Sequence, residues 1–202
     1  MSGTRTTRYR VVVAASIPMF VAAVLASTVV AGQFRGEDPQ SFHAGLATGD
    51  VTRVGEIAPD NGLPGRGVFV QKTDTGQFCL WDAPSAASLQ RQGGCNPADD
   101  PLAGRELSMS FAYDGGPGVE NVRDARLIGV TTESVAQVQV LMSDGTRRDV
   151  TLRNAEIGGE SYRAFGHRVK RGDLRKGVEP VAVIALDEYG AEIDRQETGF
   201  AR

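Results

Sequence analysis

The side chains that do most protein chemistry are scarce here. Among 202 residues there are two cysteines, Cys79 and Cys95, and two histidines, His43 and His167. The cysteines bracket "CLWDAPSAASLQRQGGC". Two cysteines can pair, share a metal, or divide into a nucleophile and a bystander. A structural zinc site wants four ligands, usually with a close Cys-x-x-Cys pair, and no such pair is present. A catalytic cysteine needs a histidine partner, and His43 falls in the segment read below as a linker. The reading kept is a disulfide. Closing the 15 residues between the cysteines is worth about 3 kcal/mol in the chain-entropy picture. The interior carries Pro84, a Ser/Ala stretch and Gly93-Gly94, which reads as a surface loop, with one helical turn around "SAASLQ" and a Gly-Gly turn before Cys95.

A search for other chemistry finds no Gly-x-Ser-x-Gly elbow, no His-Glu-x-x-His, no phosphate loop and no Gly-x-Gly-x-x-Gly fingerprint. Asn96, Asp99 and Asp100 gather oxygen donors in "NPADDPLAG". Their spacing is not that of a calcium loop, and Asn-Pro and Asp-Pro are ordinary turn formers. No catalytic, cofactor or metal residue is assigned. One cluster remains. "HRVKRGDLRK" packs His167, Arg168, Lys170, Arg171, Arg175 and Lys176 around a single Asp173. Such a segment is a candidate contact for an anionic surface: a wall polymer, a lipid headgroup or an acidic partner protein. The plain alternative is a solvated strand end and loop.

The elements that must position these residues are short and extended. "GVFVQ" and "QFCLW" flank a turn at Thr73–Gly76. "VAQVQVLM" and "RRDVTL" flank Ser143–Thr146, and "VAVIAL" and "AEIDRQ" flank Asp187–Gly190. "ELSMSFAY", "RDARLIGV" and "YRAFGHRV" also read as strands. In the last, alternation places Phe165, His167 and Val169 on one face and Tyr162, Ala164 and Arg168 on the other. About nine strands in roughly 150 residues predict a mainly β domain, an antiparallel β-sandwich or partly open barrel, over residues 51–202.

Ahead of that domain stands "VVVAASIPMFVAAVLASTVVAGQF", Val11–Phe34, 24 residues without a charge. About 20 span a bilayer core as helix. Arg5, Arg8 and Arg10 precede it, while residues 11–202 carry a formal charge of −6. The positive-inside tendency puts residues 1–10 in the cytoplasm, 11–34 across the membrane as an uncleaved signal anchor, 35–50 outside as a linker, and the β domain beyond it. The competing expectation is a signal peptide cleaved after Ala26 or Ala31, against which the length of the apolar run counts. An extracytoplasmic setting favours the disulfide in turn. An acidic body argues against nucleic acid as a partner.

The stretches "CLWD…QGGCNP", "DGGP", "DARLIGV", "MSDGT" and "VAVIALDEYGAEIDRQETGF" resemble uncharacterised membrane-anchored envelope proteins of high-GC Gram-positive bacteria, of actinobacterial type. The resemblance covers most of residues 67–200. It implies an envelope setting and carries over no catalytic residues. The expectation is a single-pass membrane protein. Its partners are the bilayer and another envelope protein or an anionic wall polymer, and it acts as a non-catalytic interaction or accessory module. The alternative is an envelope enzyme acting on wall or lipid substrates without a recognisable motif.

Overall fold

The computed structural model describes residues 51–73, 76–96, 100–115 and 118–200. The tip, the apolar run Val11–Phe34 and the linker lie outside them. The described residues are mainly β. Sheet one has strand order β1 (Val51–Ile57), β2 (Arg66–Lys72), β3 (Phe78–Ala83) and β4 (Gln92–Asn96). Sheet two runs β5 (Leu107–Gly115), β6 (Val122–Thr131), β10 (Glu160–Arg168) and β9 (Arg153–Ile157). Sheet three runs β12 (Glu192–Glu197), β11 (Pro180–Leu186), β7 (Gln137–Met142) and β8 (Arg147–Val150). All strand pairs are antiparallel. The one short α-helix among these residues is α1 (Arg171–Leu174).

The antiparallel β class is as expected, but the layering differs from a two-sheet sandwich. Sheet two is covered on both faces. Along β6, Ala125 and Leu127 join a core with Val138, Val140, Val183 and Ala185 of sheet three. Ile128 and Val130, of the other parity, join Val68, Val70, Phe78 and Leu80 of sheet one. Successive side chains of a strand point to opposite faces, so a strand with apolar residues at both parities needs a cover on each side. "VAVIAL" is interior in sheet three, between β12 and β7.

The three hairpins stand where their turns put them: β2–β3, β7–β8 and β11–β12. Three strands are additional. β1 and β9 are mostly exposed edge strands. β4 contains the Gly-Gly pair read as a turn. Gly93 instead lies opposite Trp81 within the ladder, and a Cβ there would fall 2.6 Å from the Trp81 Cα. Glycine serves close approach in this strand, not reversal. "SAASLQ" forms a single turn, with the Ser88 amide donating to the Ser85 carbonyl at 3.1 Å.

The chain alternates between sheets two and three by hairpins. β5–β6 belongs to two, β7–β8 to three, β9–β10 to two, and β11–β12 to three. Sheet one is built from four consecutive strands.

Candidate functional site

Cys79 and Cys95 sit directly opposite each other on β3 and β4, with Cα atoms 3.9 Å apart, and form a disulfide. The bond pins the edge strand β4 at the end where the chain leaves it. On the same face, Phe69 stacks on Trp81 with ring centroids 4.6 Å apart, and the Arg91 guanidinium lies 4.2 Å over the Trp81 ring. Arg91 is held by the carbonyls of Ser88 and Ala86, to which it donates. The 84–91 segment thus folds back over the outer face of sheet one.

The opposite face of sheet one is apolar at one end and ionic at the other. Arg126 is fully buried between sheets one and two. Its Nε donates to Asp82 Oδ2 at 3.0 Å, and its Nη1 donates to Asp114 Oδ2 at 3.0 Å and to Asp124 Oδ2. Arg66 closes on the other oxygen of Asp82 and donates to the Gln90 carbonyl at 2.7 Å. Arg168 donates to Asp124 Oδ1 at 2.9 Å and to the carbonyls of Ala58 and Pro64. Three guanidiniums face three carboxylates across two layers. Burial alone would lower the Arg126 pKa, but Asp82, Asp124 and Asp114 outweigh it and raise it. Asp114 is pulled the other way by burial, yet its pKa falls because Gln92 and Arg126 donate to it. Carboxylates saturated by fixed donors suit a clamp between sheets, not proton transfer.

The sequence did not single out this network. Its only trace was an Asp and an Arg two apart in "RDARLIGV" and a lone Asp in "CLWDA", acids and bases inside otherwise apolar strands. Arg168 does not lie on the surface, where the basic segment as read from the sequence places it, but is buried. It points to the face of β10 that packs on sheet one and is spent on internal partners. Strand parity had already put it on the face opposite His167.

The rest of the basic segment divides further. Lys170, Arg175 and Lys176 are exposed, and Arg171 is half-buried. His167 is half-buried, and its pKa is lowered by burial first and by Lys170 and Arg148 second. It is therefore neutral near pH 7 and adds no charge to the segment. Asp173 pairs with Arg148 at 3.5 Å. The segment is held by Leu174, which is buried in the core between sheets two and three, and by the Val169 amide donating to the Ala125 carbonyl at 2.9 Å. Arg171 and Arg175, one helical turn apart, share a face. They line a cleft of about 710 Å³ with Arg123, Val122, Asn121, Glu120, Asp114 and Gly115.

Asp100, weighed as a cation ligand, accepts from the amides of Leu102 and Gly104, both at 2.8 Å, as a turn former does. Asn96 donates to the Pro101 carbonyl at 3.0 Å, and Asp99 lies outside the described residues. Among the described residues no group of three or more His, Cys, Asp and Glu side chains is placed to hold a metal ion. No helix among them is long and apolar enough to cross a membrane.

Comparison of the chain with protein-family models, with curated proteins and with solved structures finds no match.

Proposed function

We propose that this is a membrane-anchored protein whose extracytoplasmic β domain serves the cell envelope as a non-catalytic interaction or accessory module. Val11–Phe34 is the anchor, and the exposed cations of the 170–176 segment are the contact with an anionic wall polymer or a partner protein. The observation that carries the reading is the Cys79–Cys95 disulfide, formed between adjacent strands of a domain that follows an apolar run. Disulfides persist in oxidising compartments. The basic segment adds to it: Lys170, Arg175 and Lys176 stand exposed on a body of net negative charge.

The test is fractionation of cells that express the full chain. The protein is expected in the membrane fraction after a high-salt wash, with its C-terminus cut by protease added to intact spheroplasts. A mature N-terminus at Ser27 or Gly32 would replace the anchored protein with a secreted one, and protection of the C-terminus would reverse the topology.

A further inference from the structure

Every arginine among the described residues but three has a side-chain partner: a carboxylate, a carbonyl or an amide oxygen. The three are Arg123, Arg171 and Arg175, and all of them line the same cleft of about 710 Å³. Arg123 comes from the start of β6. Arg171 and Arg175 come from α1 and the residue that follows it. Two separate elements therefore bring cations to one place. Two carboxylates line the cleft against these three guanidiniums, so its lining stays net cationic, and neither of them forms an ion pair with one of the three. Both oxygens of Asp114 are occupied, one by the Gln92 amide at 2.7 Å and the other by Arg126 at 3.0 Å. Glu120 accepts from the Asn121 amide through Oε1 at 3.2 Å.

Like charges one helical turn apart destabilise a helix. A third cation set against them adds to the repulsion. A bound anion relieves it. The guanidinium fork matches phosphate oxygens two at a time, which an ammonium cannot do. The cleft, at about 710 Å³, is also larger than a phosphate needs, which leaves room for a carrier. The second oxygen of Glu120 offers that carrier's hydroxyls an acceptor.

We infer that this cleft binds the phosphate ester of a sugar or polyol. Arg123, Arg171 and Arg175 hold the phosphate, and Glu120 accepts from the carrier. The inference deepens the proposed envelope contact and rests on that reading for its setting, because Arg171 and Arg175 belong to the same basic segment. It is more specific: Arg123 lies outside that segment, and Lys170 and Lys176 are not in the cleft.

The test uses the full-length chain in a neutral detergent at low salt, titrated with glycerol 3-phosphate and followed by ³¹P NMR. A saturable shift is expected. Arg123→Gln and Arg175→Gln should each weaken it about tenfold, the scale of one lost hydrogen bond to a charged group. Both side chains are exposed and partnerless among the described residues, so circular dichroism should be unchanged. Lys170→Gln and Lys176→Gln should change it less than twofold. Inorganic phosphate should bind more weakly than the ester, and Glu120→Gln should erase that preference. Glycerophosphoglycerol distinguishes the sources: tighter binding of this diester assigns the cleft to a polymer link or lipid headgroup, and tighter binding of the monoester assigns it to a free sugar or polyol phosphate. Absence of a saturable shift, or equal losses in the Arg123 and Lys170 variants, overturns the cleft. Membrane retention in the fractionation experiment would then leave the anchored module standing without it, and a secreted product with a normal titration would do the reverse.

Discussion

Asp82 Oδ2 and Arg126 Nε lie 3.0 Å apart, with neither side chain exposed to solvent. The pair joins β3 of sheet one to β6 of sheet two, and Arg66 and Asp124 extend it on either side. Breaking one partner of such a pair strands the other charge in the interior. Arg126→Met should therefore cost about 3–5 kcal/mol, and Asp82→Leu a similar amount. The double replacement should cost clearly less than the sum of the two, because no orphan of that pair remains. Urea denaturation of the three variants measures this directly, and additive losses would show that the pair is not coupled.

Peptide mapping without reductant should recover the fragments holding Cys79 and Cys95 as one species, and a thiol reagent should label neither. Cys79→Ala with Cys95→Ala should lower stability by about 2–4 kcal/mol. On reduction, hydrogen exchange should rise first in β4 and residues 84–91. The β7–β8 and β11–β12 hairpins should keep their protection, since they belong to another sheet. Stoichiometric labelling of the native protein would refute the bond.

Gly129 pairs directly with Phe165 across β6 and β10. A Cβ at position 129 would lie 2.2 Å from two atoms of the Phe165 ring. That ring sits in the core shared with sheet three. Gly129→Ala should cost about 1–3 kcal/mol by overpacking. Phe165→Leu in the Gly129→Ala background should return part of that loss. Thermal melts of the single and double variants provide the comparison.

His167 is expected to titrate below 6.5, since burial and then Lys170 and Arg148 disfavour its cation. The sign follows from linkage. As pH falls through about 6.5, an unfolded histidine takes up a proton that the folded one refuses. Stability should fall on the acid side of that value and level off once the folded midpoint is passed. His167→Gln should flatten this part of the profile. Ring-proton NMR gives the midpoint, and urea midpoints between pH 5 and 8 give the slope. A midpoint above 6.5 would reverse the sign.

The turns were readable because each carries its own chemistry. Gly76, Gly145 and Gly190 all adopt positive φ at about 80°, where glycine is favoured. They stand between strands whose alternation is clear. The cysteine pair was readable from count and spacing. β4 was not, because Gly93-Gly94 carries the signature of a turn and the reason for it, the nearby Trp81 backbone, lies on another strand. The third layer was visible only indirectly, in "RLIGV" and "AFG", where apolar residues occupy both parities. The ionic clamp was the least readable feature. Arg168 sits among Lys170 and Arg171 in sequence and looks like part of a solvated patch. Its partner Asp124 is 44 residues away, and only the pairing of β10 with β6 brings them together.

The hairpins dealt alternately to sheets two and three bear on how the molecule assembles. Sheet one can zip from neighbours: each of its strands pairs with the next in the chain. β6 meets β10 only by closing a loop that contains β7 and β8, and β7 meets β11 only by closing one that contains β9 and β10. Each of those two sheets closes over a hairpin that belongs to the other, and the two share one core. Residues from β5 to β12 should thus form and melt as one cooperative unit, with a nucleus that contains contacts from both sheets. Their rate should be limited by loop closures of some tens of residues. Sheet one should be able to come and go at lower free energy, up to the point where Arg126 and Asp82 tie it to the rest.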